Sequence, residues 1–295
     1  MFTGSSVALV TPMQAHPDGS TQLDLDAWDR LLAWHAEAGT QAVVVGGTTG
    51  ESATLDHEEY IQLLTHAVER LKGQVVVMAG TGSPSTAHTI ARTRLAASLG
   101  ADMALVVTPA YNRPSQRGLM AHYRAVADQS DIPIMLYNVP GRTAVDLLPE
   151  TALALAEHEQ IVAIKEAVGD TQRIDALVEG GLAVFSGDDP SFVAALRHGA
   201  QGVVSVAANV VPATIAALCQ SAAVGDWDSA VHKDSQLADL YTFLGVETNP
   251  VPVKWLLAEK GMCQHAMRLP LVGLDSKYHE IGHALLDRLT IDPLQ

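Results

Sequence analysis

Eight short runs of apolar, largely β-branched residues recur at fairly even intervals, and they constrain this chain more than any other feature. They are Ser6–Val10, Ala42–Val45, Val75–Ala79, Met103–Val107, Ile132–Tyr137, Ile161–Lys165, Leu182–Ser186 and Gly202–Val206. Each is continuously apolar rather than alternating, as expected of parallel strands covered on both faces. The segments between them carry helical periodicity. Leu23–Gly39 puts Leu25, Trp28, Leu31, Leu32 and His35 on one face and ends at a glycine. Asp56–Leu71 opens with an N-cap aspartate and has Glu58 and Glu59 in its first turn. Ser83-Pro84 opens another helix that Gly100 closes, and Pro149-Glu150 and Asp188-Asp189-Pro190 read as further starts, the last as an N-cap pair. Strand then helix, eight times over, predicts an α/β fold, a (β/α)₈ TIM barrel. The rival, a doubly wound open sheet, normally has fewer units and a glycine-rich first turn, which Val10-Thr11-Pro12-Met13 is not.

The expected barrel occupies residues 1–225. Beyond it the strand signal fades, and Asp226–Leu244, Pro252–Lys260 and Asp275–Leu289 read as helices, so 226–295 is expected to be a C-terminal helical region packed on the barrel. A length of 295 residues suits one such barrel, and 48% hydrophobic residues can fill a large core. The formal charge of −15 repels a phosphate backbone, and no basic run relieves it, which argues against a nucleic-acid partner. Cys219 and Cys263 are the only cysteines and neither belongs to a CxxC, so neither a disulfide framework nor a zinc knuckle is indicated, and a reducing cytoplasm fits. The start, Met1-Phe2-Thr3-Gly4, shows no signal-peptide pattern. His198–Gly225 lacks charge for long enough to mimic a membrane span, yet Asn209, Pro212, Gln220 and many small residues point to a buried strand and a packed helix instead.

In such barrels chemistry sits at the C-terminal ends of the strands. That rule gathers Thr48 and Thr49, Tyr111, Tyr137, Lys165, Gly187 and Asp188. Lys165 closes an apolar run, and a desolvated amine is easily held neutral and nucleophilic. The plainer alternative is a lysine beyond the strand, paired with Glu166 or lying in solvent. Tyr137 can relay protons beside that amine, or be an ordinary barrel tyrosine. Gly46-Gly47-Thr48-Thr49-Gly50-Glu51 is a glycine-rich turn whose amides and hydroxyls suit a carboxylate, or simply a tight turn; it lacks the ending of a P-loop. Arg142, in the loop after Tyr137, can hold a second carboxylate or lie in solvent. There is no HExxH or G-x-S-x-G, and the twelve histidines show no metal-ligand grouping, so no metal is expected.

Together, Gly46–Ala53 (GGTTGESA), Val107–Ser115 (VTPAYNRPS), Leu136–Thr143 (LYNVPGRT), Ile164–Ala167 (IKEA) and Ser186–Asp189 (SGDD) resemble the signatures of the dihydrodipicolinate synthase / N-acetylneuraminate lyase family. The opening Phe2–Met13 and the late Asn249–Trp255 match as well, so the likeness runs along essentially the whole chain. It implies that Lys165 forms a Schiff base with pyruvate, and that Tyr137, Thr48 and Tyr111 form a proton relay, with the tyrosine at position 111 entering from a neighbouring subunit. It implies that Thr48 and Thr49 hold the pyruvate carboxylate, that Gly187 and Val204 line the pocket through their backbones, and that no metal or organic cofactor is needed. The arginine after Tyr-Asn-Val-Pro, here Arg142, marks the branch that condenses pyruvate with L-aspartate 4-semialdehyde. A different aldolase of the family and a non-catalytic metabolite sensor are the alternatives. The resemblance further implies a homotetramer built as a dimer of dimers, and in some members an L-lysine cleft. The corresponding positions here are Ser52, Ala53, His57, Tyr60, Pro84, His88 and Ala110. Pro84, His88 and Ala110 offer no amide, carboxylate or phenol to such a ligand, so weak or absent lysine inhibition is expected.

Overall fold

A computed structural model describes residues 2–289. Residue 1 and residues 290–295, the outer ends of the two expected regions, lie outside the described residues.

Eight parallel strands close into a barrel: β1 (Gly4–Ala8), β2 (Ala42–Val45), β3 (Val76–Gly80), β4 (Met103–Val107), β5 (Ile134–Asn138), β6 (Ile161–Glu166), β7 (Ala183–Ser186) and β8 (Gly202–Ser205). Chain neighbours pair throughout, and β8 pairs with β1 to seal the ring. The continuous apolar runs have their physical reason here. Residues of one parity fill the barrel, among them Ala8, Val44, Met78, Met135, Phe185 and Val204, while those of the other parity, such as Leu136, Ile164 and Val184, pack under the helices. The uncharged stretch is β8 followed by the helix Pro212–Ala223, and among the described residues no helix is long and apolar enough to cross a membrane.

Most element ends fall within two residues of expectation, with three corrections. The helix expected to open at Ser83-Pro84 is Thr86–Ser98, capped by the Ser85 hydroxyl. Asp226–Leu244 is two helices, Trp227–Ser235 and Ala238–Leu244, broken at Gln236-Leu237. Asp188-Asp189 does not cap its own helical turn. The Asp188 carboxylate accepts from the Ser191 hydroxyl, and Asp189 Oδ2 accepts from the amides of Val206 (3.0 Å) and Ala207 (2.8 Å) beyond the next strand. A small antiparallel hairpin, Met13–Ala15 with Thr21–Leu23, was not anticipated. Asp56 does cap the helix His57–Leu71, with Glu59 completing a capping box, a feature worth about 1 kcal/mol.

The C-terminal helices share one apolar cluster with the barrel's flank: Phe243, Val251, Trp255 and Leu285 belong with Val7, Trp28 and Leu63. That packing carries residues 241–249 over the barrel mouth.

Candidate active site

The strand ends decide what the mouth contains. In β6, Ala163 and Lys165 face inward while Ile164 and Glu166 face outward, and β5 does the same with Met135 and Tyr137 against Leu136 and Asn138. The register sets Tyr137 beside Lys165 and Asn138 beside Glu166. The two pairs meet different fates.

Outside, Glu166 accepts from Asn138 Nδ2 (3.0 Å), the Val168 amide (3.0 Å) and Arg173 Nε (2.8 Å), and Arg173 also grips Asp146 at 2.6 Å. Burial pushes the Glu166 carboxyl above its usual range, against the pull of Arg173. Glu166 is therefore turned away from Lys165 and is not its partner. Inside, the Lys165 side chain is 4% exposed, its Nζ stands 4.3 Å from the centroid of the Tyr137 ring, and no carboxylate of the described residues pairs with it.

Lys165 and Tyr137 line a cavity of about 310 Å³ together with Thr48, Thr49, Arg142, Gly187 and Asp188. Gly187 is needed for space: a Cβ there would lie 2.7 Å from Lys165 Cε. The turn after β2 folds on itself, with Gly50 N bonding Gly47 O, Glu51 N bonding Thr48 O and Ser52 N bonding Gly47 O. Among the described residues the amides of Thr48 and Thr49 have no hydrogen-bond acceptor, so they remain available to an anion. Thr49 Oγ1 accepts from Asn249 Nδ2 at 2.9 Å, and Arg142 Nη2 reaches Asn249 O at 3.3 Å. Arg142 sits on a single helical turn, Pro140–Thr143, rather than in the loop expected.

Two sequence candidates lie elsewhere. Val204 is fully buried in the barrel interior and does not line the cavity; Val206, beyond the end of β8, does. Tyr111 is 96% exposed, adopts φ +70° and does not reach its own chain's cavity. The residues expected at the L-lysine cleft divide as well. His57, Tyr60 and His88 wall a separate cavity of about 380 Å³ with Arg92, whereas Ser52, Ala53, Pro84 and Ala110 lie outside its wall. Sequence reasoning missed Asp189, Tyr241, Leu244, Gly245 and Asn249 in the main cavity. It also missed Lys254, whose buried ammonium meets Glu51 Oε1 at 2.5 Å, behind the Thr48–Thr49 turn. Only the proximity of Asn249 and Lys254 in one quoted segment hinted at either.

A buried amine without an ion-pair partner among the described residues shares one cavity at the mouth of a parallel barrel with free amides, and the class the fold defines is an α/β-barrel protein with its cavity at the strand ends. The chain belongs to the dihydrodipicolinate synthetase family, whose model matches residues 1–289. It is 51% identical over 281 residues to a 4-hydroxy-tetrahydrodipicolinate synthase of Stenotrophomonas maltophilia strain R551-3, covering 94% of this chain and 93% of that protein. It is 47% identical over 283 residues to the Cellvibrio japonicus synthase, covering 95% and 96%. Its fold matches the pyruvate complex of the chloride-inhibited dihydrodipicolinate synthase from Acinetobacter baumannii with a TM-score of 0.94, at 42% identity over 98% of this chain and 99% of that one. A monomeric dihydrodipicolinate synthase variant matches with a TM-score of 0.93, at 38% identity over 97% and 96%.

Proposed function

We propose that this chain is a lyase that condenses pyruvate with L-aspartate 4-semialdehyde to 4-hydroxy-tetrahydrodipicolinate, on the route to diaminopimelate and lysine. The observation that carries the reading is Lys165, buried without a counter-charge against the Tyr137 ring. Its amine adds to the pyruvate ketone and expels water, leaving an imine. Loss of a methyl proton gives an enamine, whose carbon adds to the aldehyde; the substrate's own amine then displaces Lys165 as the ring closes. The imine is itself the electron sink, so the steps call for no metal or organic cofactor. Thr48 and Thr49 hold the pyruvate carboxylate, and Gly187 leaves room for the lysine to swing. Tyr137 and Thr48 carry protons, and Tyr111, exposed in its own chain, completes the relay in a neighbouring copy. Arg142 takes the carboxylate of the semialdehyde. The C-terminal helical region gives the barrel one wall of the cavity through Tyr241, Leu244, Gly245 and Asn249. The working form is a cytoplasmic homotetramer, and L-lysine acts on it weakly or not at all.

The test is an assay of pyruvate with aspartate semialdehyde, coupled to a reductase that consumes the product, alongside borohydride trapping. Turnover and one pyruvate-derived mass on Lys165 are expected. An adduct on another lysine overturns the mechanism, and faster turnover with a different aldehyde overturns the substrate.

A further inference from the structure

The segment that presents Arg142 to the cavity leaves the barrel at Asn138 and is closed at its base by Leu147. Asn138 Oδ1 accepts from the Leu147 amide at 2.9 Å, and Asn138 Nδ2 donates to Asp146 Oδ1 at 2.9 Å. Arg173, in the first turn of the helix Thr171–Glu179, spans that base on the outer face of the strands. Its Nε donates to Glu166 Oε2 at 2.8 Å, and Nη1 and Nη2 donate to the two oxygens of Asp146 at 3.1 and 2.6 Å. Nη2 also donates to the Leu147 carbonyl. The grip on Asp146 is a two-point one, which fixes direction as well as distance. The guanidinium thus ties the end of β6 to the far end of the Arg142 segment.

The two ends of this link are not equal. The Glu166 side chain is fully buried, and the register between β5 and β6 already pairs Asn138 with Glu166. Asp146 is 37% exposed and belongs to no strand or helix. The turn Pro140–Thr143 is held internally, with Arg142 N donating to Val139 O and Ala144 N to Pro140 O, both at 2.9 Å. On one side Thr108 steadies it, its hydroxyl donating to Thr143 Oγ1 at 3.0 Å. On the other side stands the grip of Arg173 on Asp146. Cutting that grip leaves strands and turn intact and frees the turn to shift as a body. Neither Arg173 nor Asp146 lines the cavity, so any effect on catalysis passes through another residue. We propose that Asp146 and Arg173 are positioning residues for Arg142, setting the aldehyde side of the site and not the pyruvate side. This rests on the reading of Arg142 as the partner of the aldehyde's carboxylate. A fork displaced by about an ångström loses the geometry that a bound carboxylate needs.

The test joins steady-state kinetics to amide hydrogen exchange on the intact protein. Asp146→Ala is the first variant, because it cuts the grip and leaves Glu166 paired with Arg173. It raises the KM of the aldehyde substrate by about tenfold, while borohydride trapping of pyruvate on Lys165 keeps the wild-type rate. Arg173→Met acts in the same direction, and Arg173→Lys, a point charge without the fork, recovers part of the loss. In an Arg142→Ala background, Asp146→Ala adds less than about a factor of two, because both changes act on one contact. Exchange speeds up at residues 142–147 and keeps its wild-type rate in β5 and β6. Equal loss of imine formation places the effect on the strands and overturns the proposal, as does an unchanged KM or a fully additive effect in the Arg142→Ala background. A wild-type protein that does not turn over this aldehyde, or an Arg142→Ala variant with unchanged KM, sinks the functional reading instead. Exchange then decides the clamp alone, and an unaltered rate at residues 142–147 overturns it.

Discussion

Two lysines are buried among the described residues, and their surroundings could hardly differ more. Lys254, 2% exposed, meets Glu51 Oε1 at 2.5 Å and the Ala266 carbonyl at 2.7 Å. Lys165, 4% exposed, has the Tyr137 ring and an open cavity in front of it. Burying an ammonium costs several kcal/mol unless a partner offsets it. Lys254 is offset, so its charge serves architecture: it fixes Glu51, which has φ +55°, at the back of the turn that presents Thr48 and Thr49. Lys165 has no such partner among the described residues, and in the proposed mechanism it is the amine that reacts. Burial alone does not distinguish a reactive lysine from a structural one; the partner does.

The comparison breaks most sharply at Lys165 itself. Lys165→Ala should lower kcat on the order of 10⁶-fold, the scale of deleting a nucleophile, while leaving the urea-unfolding midpoint unchanged or higher. A large loss of stability would mean that this lysine, too, is structural. Lys254→Met should do the reverse. It strands Glu51 as a buried unpaired charge, at a cost of about 3–5 kcal/mol in unfolding experiments. Because the turn loosens, the KM for pyruvate should rise in the variant that still folds. Adding Glu51→Gln should recover much of the stability, and no recovery would show that the pair is not the cause.

Arg142 tests how far the division of roles extends around the cavity. Arg142→Ala should raise the KM of the aldehyde substrate by about ten- to a hundredfold, the equivalent of ~1.5–3 kcal/mol. Imine formation with pyruvate should hardly change, and equal damage to both substrates would point to a disturbed Pro140–Thr143 turn. The smallest effect concerns buried groups that escape the problem by staying neutral. Burial pushes His35 down to about 3 and His122 down to about 4. Below about pH 6.5 the unfolded chain takes up protons that the folded one refuses. Stability should therefore be complete above that pH and fall as the pH drops, by on the order of 1 kcal/mol per unit for each histidine. His35→Gln should flatten the slope measured between pH 6.5 and 5, and an unaltered slope would assign the acid sensitivity elsewhere.

The barrel was legible because its signal is local and repeated. Short continuous β-branched runs bounded by turns read as strands covered on both faces, and eight of them alternating with helices leave few topologies. Lys165, Tyr137, Thr48 and Gly187 were legible for the same reason: a residue that ends a barrel strand points at the mouth, and alternation along the strand decides which ones face inward. What lay beyond the sequence depends on pairings between distant positions. Nothing local joins Glu51 to Lys254, Thr49 to Asn249 or Glu166 to Arg173 and Asp146. The same limit explains why Asp188-Asp189 was read as a cap for the helix that follows it, when Asp189 in fact caps a turn beyond the next strand. Apolar periodicity is set by each segment's own covering. The partner of a buried charge is set by the closed barrel, which brings the last third of the chain over the loops of the first.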